Sequence, residues 1–306
     1  MPVFNRSKYA EKSIRSILNQ TYKDFEFLII DDGSTENTEE MVSSFKDSRI
    51  VYKKLDKNKG TAAALNFGLK SAKGDWIARI DSDDLNTADR LETQIKFLED
   101  NPEYDVVSSW SVYFKDPGKI LFLLKEPVEH KEIYKYLNLH NPINQSGVIY
   151  RKKIIKKEGY NENYLNNEDF ELFYRIRDKV RFYNIPKFLV YTRVTKDSLS
   201  YTGTNKNIYD FLFPPAFKNL MDSQTKGKSF FWASNIAWIN YFYGNRKDSR
   251  GYFSNSFSIR NLLAYLTTLL PEKLFNKFLN SRLKYRFKAL FYGKRFYRNE
   301  LKKLLA

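Results

Sequence analysis

The first ninety residues alternate short apolar runs with stretches of helical periodicity, the pattern of a parallel sheet whose strands are joined by crossover helices. Phe25 to Ile30 reads Phe-Glu-Phe-Leu-Ile-Ile, a buried strand that stops at Asp31-Asp32-Gly33-Ser34. Ile50 to Lys53 is a second strand, and Trp76 to Ile80 a third that stops at Asp81-Ser82-Asp83-Asp84. Between them, Ile14, Ile17 and Leu18 follow Ser7 at helical spacing, and Ala62, Leu65 and Leu69 follow Gly60 in the same way, which predicts two helices. Two acidic clusters therefore fall at the carboxyl ends of two strands, the edge at which open α/β sheets bind ligands. Met1-Pro2-Val3-Phe4-Asn5 reads as the end of a first strand, shorter than the usual ~5 to 6 residues. The expectation is that Met1 is an internal methionine and that upstream residues complete the strand.

From Asp105 to about Tyr191 the pattern is mixed, with apolar stretches at Val106 to Phe114, Gly147 to Tyr150 and Val180 to Ile185. A helix is expected to start near Glu168, with Phe170, Phe173 and Ile176 at spacings of three. After about Ser200 the β signals fade, and residues 230–306 read as helices broken at Gly244, Pro271 and Gly293. The expected organisation is an α/β part over 1–200, a Rossmann-like, mostly parallel sheet flanked by helices, followed by a helical region over 201–306.

Composition narrows the chemistry. In 306 residues, 42% hydrophobic content suffices for a real core. The absence of Cys removes disulfides, thiol nucleophiles and thiolate metal sites, and only His130 and His140 offer imidazoles, so any metal must be held by carboxylates. No apolar run approaches the ~18 to 20 residues needed to span a bilayer, and the start of the chain lacks a secretory signal, so export is not indicated. Triplets such as Asn144-Gln145-Ser146 are then chance matches to a glycosylation signal.

The net charge of +16 is uneven: residues 201–306 hold 19 Lys and Arg against 5 Asp and Glu. From Lys273 to Ala306 there are 11 basic residues and one acid, Glu300, interleaved with Phe275, Phe278, Tyr285, Phe287, Phe291, Tyr292, Phe296 and Tyr297. Basic, aromatic-rich helices bind anionic membrane surfaces at ~1 kcal/mol per Lys or Arg. The competing readings are a solvated face packed on the α/β part and a nucleic-acid surface; an anionic membrane surface is preferred to both, and nucleic acid ranks last.

Asp81-Ser82-Asp83 places two carboxylates two residues apart at a strand end, a donor set suited to Mg2+ or Mn2+, whose shell a diphosphate could complete. Its bland alternative is a polar loop capping the next helix. Asp31-Asp32-Gly33-Ser34 is either a capped turn or a carboxylate that reads a nucleobase or ribose. Glu168-Asp169 either stabilises a helix start through the dipole or supplies a general base. No Walker loop and no Gly-x-Gly-x-x-Gly occurs, which argues against a P-loop ATPase and a dinucleotide dehydrogenase.

Taken in order, these segments resemble glycosyltransferase family 2, inverting, nucleotide-sugar-dependent enzymes of GT-A type fold. The resemblance rests on Pro2 to Asn5, Ser13 to Tyr22, Phe25 to Ser34, Asn58-Lys59-Gly60-Thr61, Ala64-Leu65-Asn66, Ala72-Lys73-Gly74-Asp75, Asp81 to Asp84 and Glu168 to Leu172. It implies that Asp32 reads the uracil or other base beside Pro2, Phe4 and Asn5. It further implies that Asp81, with Ser82, contacts the ribose, that Asp83 binds Mn2+ or Mg2+, and that Asp169 is the catalytic base. Asp84 and Glu168 carry over as secondary members. Family members often show a His shortly after an Arg where this chain reads Arg193-Val194-Thr195, and Thr195 cannot supply an imidazole.

The implied activity is transfer of a sugar from a nucleoside-diphosphate sugar, a UDP-sugar first among donors, to a glycan or lipid-linked acceptor in bacterial surface-polysaccharide or lipid-linked oligosaccharide synthesis. The implied location is cytoplasmic, peripheral on the inner face of the membrane. A non-catalytic nucleotide-sugar or polyanion-binding protein and a nucleotidyltransferase are the alternatives.

Overall fold

The computed structural model describes residues 1–137, 141–164, 168–195, 269 and 304–305. The chain divides into two compact units, Met1–Tyr201 with Leu290–Ala306, and Thr202–Ala289; the account below concerns the first. The basic, aromatic-rich stretch lies outside the described residues apart from Leu304 and Leu305.

The first unit begins β1 (Pro2–Val3), α1 (Ser7–Leu18), β2 (Phe27–Asp31), α2 (Thr38–Ser43), β3 (Ile50–Lys54), α3 (Thr61–Ser71) and β4 (Trp76–Ala78). Then follow β5 (Leu85–Asn86), α4 (Arg90–Asp100), β6 (Val106–Lys115), β7 (Lys119–Leu124) and α5 (His130–Tyr136). After a 3-10 turn at Gln145–Gly147 come β8 (Ile149–Arg151), α6 (Lys152–Glu158), α7 (Glu168–Ile176) and β9 (Phe182–Arg193).

The parallel sheet expected of the first segment is β1-β2-β3, with Pro2 paired to Ile30 and Phe27 to Ile50. Its central strand is apolar on both sides because both faces are covered. Phe27 and Ile29 point into a cluster with Val3, Ala10, Ile14, Ile17, Val42 and Ile80. Ile30, facing the other way, packs with Leu55 and Ala64, joined by partly buried Leu28. Period-two alternation thus sends one set to α1 and the other to α3, where Gly68 lets the helix approach the Ile30 side chain.

A second sheet runs β4-β8-β6-β9-β5, with β7 on β6. Its β6–β9 pairing is parallel, whereas β4–β8, β8–β6, β6–β7 and β5–β9 are antiparallel. The strand expected over Trp76 to Ile80 ends at Ala78 and pairs with Arg151, Tyr150 and Ile149. Hydrophobic period marks a strand but carries no information about a partner seventy residues away.

The C-terminal end returns to this unit: Leu304 and Leu305 pack against Leu85, Val112, Phe114, Ile120, Leu123 and Tyr191. Lys12 Nζ donates to the Leu305 carbonyl. Among the described residues no helix is long and apolar enough to cross a membrane.

Candidate active site

Strand β2 delivers Asp31 and Asp32 to the sheet edge. Asp31 is fully buried; its Oδ1 accepts from the Ser34 N–H at 2.7 Å and its Oδ2 from the Tyr52 hydroxyl at 2.5 Å. Asp32 accepts the N–H groups of Lys59 and Gly60, both at 2.8 Å, and so anchors the turn that starts α3. Burial raises the Asp32 pKa, and those two N–H groups pull against it. Gly33 completes the bend at φ 74°, where a Cβ would lie 2.6 Å from the Lys57 carbonyl carbon. Only glycine fits there.

The Pro2–Asn5 segment is laced to this loop. Val3 O accepts from the Asp32 N–H at 2.9 Å, the Asn5 N–H donates to Ser34 Oγ at 3.0 Å, and Asn5 Oδ1 accepts from the Thr35 N–H at 2.9 Å. Asn5 itself adopts φ 48°, a left-handed conformation tolerated best by Asn and Gly. Phe4 is 39% exposed, a large apolar ring left facing outward beside the loop.

The second acidic cluster follows β4 and is organised by a buried cation. Arg79, 3% exposed, donates through Nη1 to Asp81 Oδ1 at 2.8 Å. Burial disfavours the charge on Arg79, but the Asp81 charge and hydrogen bond, together with Tyr160 and Tyr150, raise its pKa. Burial likewise works against the Asp81 carboxylate, but the Arg79 charge and hydrogen bonds from Arg79 and Ser146 bring its pKa down. Ser146 Oγ donates to Asp81 Oδ2 at 2.9 Å and accepts from the Asp81 N–H at 3.0 Å. Ser82 is buried, its carbonyl accepting from Ser13 Oγ of α1 at 3.0 Å.

Asp83 has no such partner, and burial followed by the Asp81 charge pushes its pKa up to about 6, with Arg6 and Arg193 pulling the other way. Asp84, buried, is driven well above the usual range by burial and by Asp83 and Asp81. It accepts the Arg193 N–H at 2.7 Å, while Arg193 Nε donates to the Asp83 carbonyl at 2.7 Å. The Arg193 guanidinium is closed between Phe114 and Tyr9, 4.7 Å and 5.0 Å from the ring centres, and pairs with Asp116.

Helix α7 brings in the third acidic pair at its first turn, where the unpaired N–H groups favour negative charge. Glu168 is buried, and burial and then Asp169 raise its pKa to about 7. Burial also raises the pKa of Asp169, with the Phe170 N–H and the Arg79 charge pulling it down and the Asp81 charge adding to the rise. Asn141 Nδ2 donates to Asp169 Oδ2 at 2.8 Å and fixes its orientation.

The fold thus assembles two groups of the expected residues. Asp83, Asp84, Glu168 and Asp169 each feel the charge of Asp81, the partner of Arg79; Asp32 is joined instead to Pro2–Asn5 and the Lys59–Gly60 turn. Arg6, directly after Asn5, lowers the pKa of Asp83 and so reaches from one group to the other. Arg79, Asn141, Ser146 and the loop-locking role of Arg193 were not evident in the sequence. Asn141 and Ser146 sit in a stretch without periodicity, and their partners lie 28 and 65 residues away.

Among the described residues no three acidic or imidazole side chains form a ready protein-only metal cage. A hard divalent cation does not need one, since one or two carboxylates and phosphate oxygens complete its shell. Asp83, desolvated and beside like charge, is a carboxylate whose ionised form a cation would stabilise. The residues present fit such an ion.

The family described as Glycosyl transferase family 2 matches residues 1–159. The chain belongs to glycosyltransferase family 2. An uncharacterised glycosyltransferase of Methanocaldococcus jannaschii is 31% identical over 250 residues, 79% of this chain and 84% of the relative. The Escherichia coli enzyme WfaP, a UDP-Glc:alpha-D-GlcNAc-diphosphoundecaprenol beta-1,3-glucosyltransferase, is 33% identical over 192 residues, 61% of this chain and 73% of WfaP. Of a longer relative from Rickettsia conorii, 30% identical over 275 residues and 87% of this chain, the match spans 45%.

Two solved structures share the fold of this family 2 member. Staphylococcus aureus TarS 1–349 in complex with UDP-GlcNAc has a TM-score of 0.56 at 17% identity, covering 99% of this chain and 88% of that one. The mannosyltransferase PcManGT of Pyrobaculum calidifontis, in complex with GDP-Man and Mn2+, has a TM-score of 0.56 at 16% identity, covering 92% and 82%. The GT-A type α/β fold follows from this likeness, with the parallel β1-β2-β3 sheet between its helices.

Proposed function

We propose that this family 2 glycosyltransferase transfers a sugar from a nucleoside-diphosphate sugar, with UDP the first candidate nucleotide, to an acceptor hydroxyl with inversion at the anomeric carbon. The observation that carries the reading is the electrostatic linkage of Asp83, Asp84, Glu168 and Asp169 to Asp81, which pairs with buried Arg79. Asp83, Asp84, Glu168 and Asp169 all resist ionisation, and a site built to meet a cation and a polyphosphate accounts for that.

In this reading Asp169 accepts the proton of the acceptor hydroxyl as that oxygen bonds to the anomeric carbon and the bond to the diphosphate breaks. A pKa raised by burial moves Asp169 toward the operating pH, which favours a general base. Asn141 holds the receiving carboxylate in place. Mn2+ or Mg2+ bound at Asp83 and the phosphate oxygens would supply Lewis-acid neutralisation of the departing diphosphate. Asp32, using lone pairs left over from Lys59 and Gly60, reads the base, with Pro2, Phe4 and Asn5 beside it. Asp81 and Ser82 meet the ribose. PcManGT binding Mn2+ with GDP-Man and TarS binding UDP-GlcNAc support the donor class by analogy.

The test is a thermal-shift panel of UDP, UDP-glucose, UDP-GlcNAc and GDP-mannose, with and without Mn2+. Native-state binding at a hundredfold excess over Kd stabilises by ~2.7 kcal/mol. A Mn2+-dependent shift with at least one nucleotide sugar is expected, followed on acceptor addition by release of nucleoside diphosphate. Release of inorganic diphosphate would identify a nucleotidyltransferase, and binding without turnover a non-catalytic protein.

The same reading divides the chain into a catalytic part, 1–200, and a basic part, 201–306, which attaches to an anionic membrane at the cytoplasmic face. The lipid-linked acceptor of WfaP supports this placement. Because Leu304 and Leu305 pack on the catalytic unit, truncation would disturb its core, and charge substitution is the cleaner test. Replacing the basic residues between Lys273 and Lys303 by Gln should release the protein from phosphatidylglycerol vesicles in a sedimentation assay. Equal sedimentation of native and substituted proteins would remove the membrane from the picture.

A further inference from the structure

Gln145 lies in the chain between Asn141, which holds Asp169, and Ser146, which holds Asp81, and its amide is unused. Both Oε1 and Nε2 are buried, and neither has a hydrogen-bond partner. Most other orphaned polar atoms among the described residues belong to groups that bond through a second atom; Arg79, Arg193 and Asn184 are examples. An entire buried amide left unmatched has lost its hydrogen bonds to water and gained none in exchange. Native proteins rarely tolerate that without a reason.

The residues on both sides of Gln145 are held by hydrogen bonds of their own. The following residue, Ser146, is bound through Oγ to Asp81, and its carbonyl accepts from Asn86 Nδ2 at 3.3 Å. The Gly147 carbonyl accepts from Gln94 Nε2 at 2.7 Å, and a Cβ on Gly147 would lie 2.6 Å from Val190 Cγ2. On the other side Asn144 Nδ2 donates to Thr192 Oγ1 at 3.3 Å, and its carbonyl accepts from Ser108 Oγ at 3.1 Å. Four residues before Gln145, Asn141 holds Asp169. The amide is therefore presented by a rigid segment pinned at one end to the candidate base and at the other to the acidic loop.

The chemistry of the missing partner follows from the amide itself, which offers two donors and one acceptor with two lone pairs. A diphosphate has only acceptors and would leave Oε1 unmatched. The base is assigned to the Asp32 loop, on the Pro2–Asn5 side. Adjacent sugar hydroxyls, each both donor and acceptor, satisfy the whole amide. A sugar whose anomeric carbon faces an acceptor held at Asp169, and whose diphosphate leaves toward Asp83, lies between the elements that Gln145 joins. We infer that Gln145 reads hydroxyl groups of the transferred sugar, Nε2 donating to one oxygen and Oε1 accepting from its neighbour. This specificity role rests on the nucleotide-sugar reading above.

Gln145→Met keeps length and volume and removes the amide. By calorimetry with Mn2+, the variant should bind UDP within twofold of the native protein, and GDP likewise if GDP-mannose is the donor that binds. It should bind whichever of UDP-glucose, UDP-GlcNAc and GDP-mannose the native chain takes about ten- to a hundredfold more weakly. Its melting temperature without ligand should be unchanged or higher, because a buried unsatisfied group has gone. Unaltered nucleotide-sugar affinity would overturn the assignment, as would loss of UDP binding or a melting temperature several degrees lower, which would give the amide a nucleotide or folding role. If the native chain binds none of the three sugars, the nucleotide-sugar reading falls and this assignment with it.

Discussion

Asp169→Asn is expected to lower the rate of sugar transfer by about a thousandfold while leaving nucleotide binding within a factor of about two. General-base catalysis contributes ~10²- to 10⁴-fold, and an amide cannot take the proton. The substitution is nearly isosteric, and the oxygen of the new side chain can still accept from Asn141 Nδ2, so the geometry should survive. It also removes a like charge beside Glu168, whose pKa of about 7 is raised first by burial and then by Asp169. The variant should therefore be no less stable at pH 8. Steady-state release of nucleoside diphosphate, with UDP affinity measured in parallel, checks the prediction. Full turnover by Asp169→Asn, with loss of turnover in Glu168→Gln, would move the proton-accepting role to the neighbouring residue.

Arg79→Met should produce the largest loss of stability, about 2 kcal/mol near neutral pH, because it removes a buried cation from Asp81, whose side chain is 36% exposed and keeps part of its hydration. The deficit should depend on pH in a definite direction. In the native chain the pKa of Asp81 is lowered, so its contribution is present above about 3.8 and is lost as acid protonates the folded form. Without Arg79, burial and the neighbouring carboxylates raise that pKa, and a group raised in the folded state loses stability as pH climbs through its titration. The gap between native and variant should therefore be small near pH 4 and widen toward pH 7. Urea denaturation at pH 4.5 and 8 in the presence of EDTA measures it. Equal deficits at the two pH values would mean that Arg79 acts by packing rather than by charge.

The sequence was most informative where local pattern and burial coincide. Phe27 and Ile29 face one cluster and Leu28 and Ile30 the other because both faces of β2 are covered, and the unbroken apolar run that results marks the strand in the bare sequence. Ile14 and Ile17 signal α1 because that face meets the sheet. The acidic loops were visible because they end apolar runs. The pairing of β4 with β8 was not, since a three-residue strand holds no record of which distant segment it meets. Arg79 was hidden for a related reason: one basic residue beside an Asp-x-Asp looks like any surface charge until its burial is known.

Sequence alone determined the family, the order of β1 to β4 with α1 and α3 between them, and the acidic positions proposed to carry the chemistry, because each is written in near-neighbour patterns; the short α2 and β5 left no such pattern. Tertiary structure alone decided which groups tune those carboxylates. Ser146 reaches Asp81 across 65 residues, Asn141 reaches Asp169 across 28, and Arg193 reaches Asp84 across 109. The reason is physical: a carboxylate's proton affinity depends on what desolvates it and which charges stand within a few ångströms, and those neighbours are brought by chain folding from positions that local sequence does not connect.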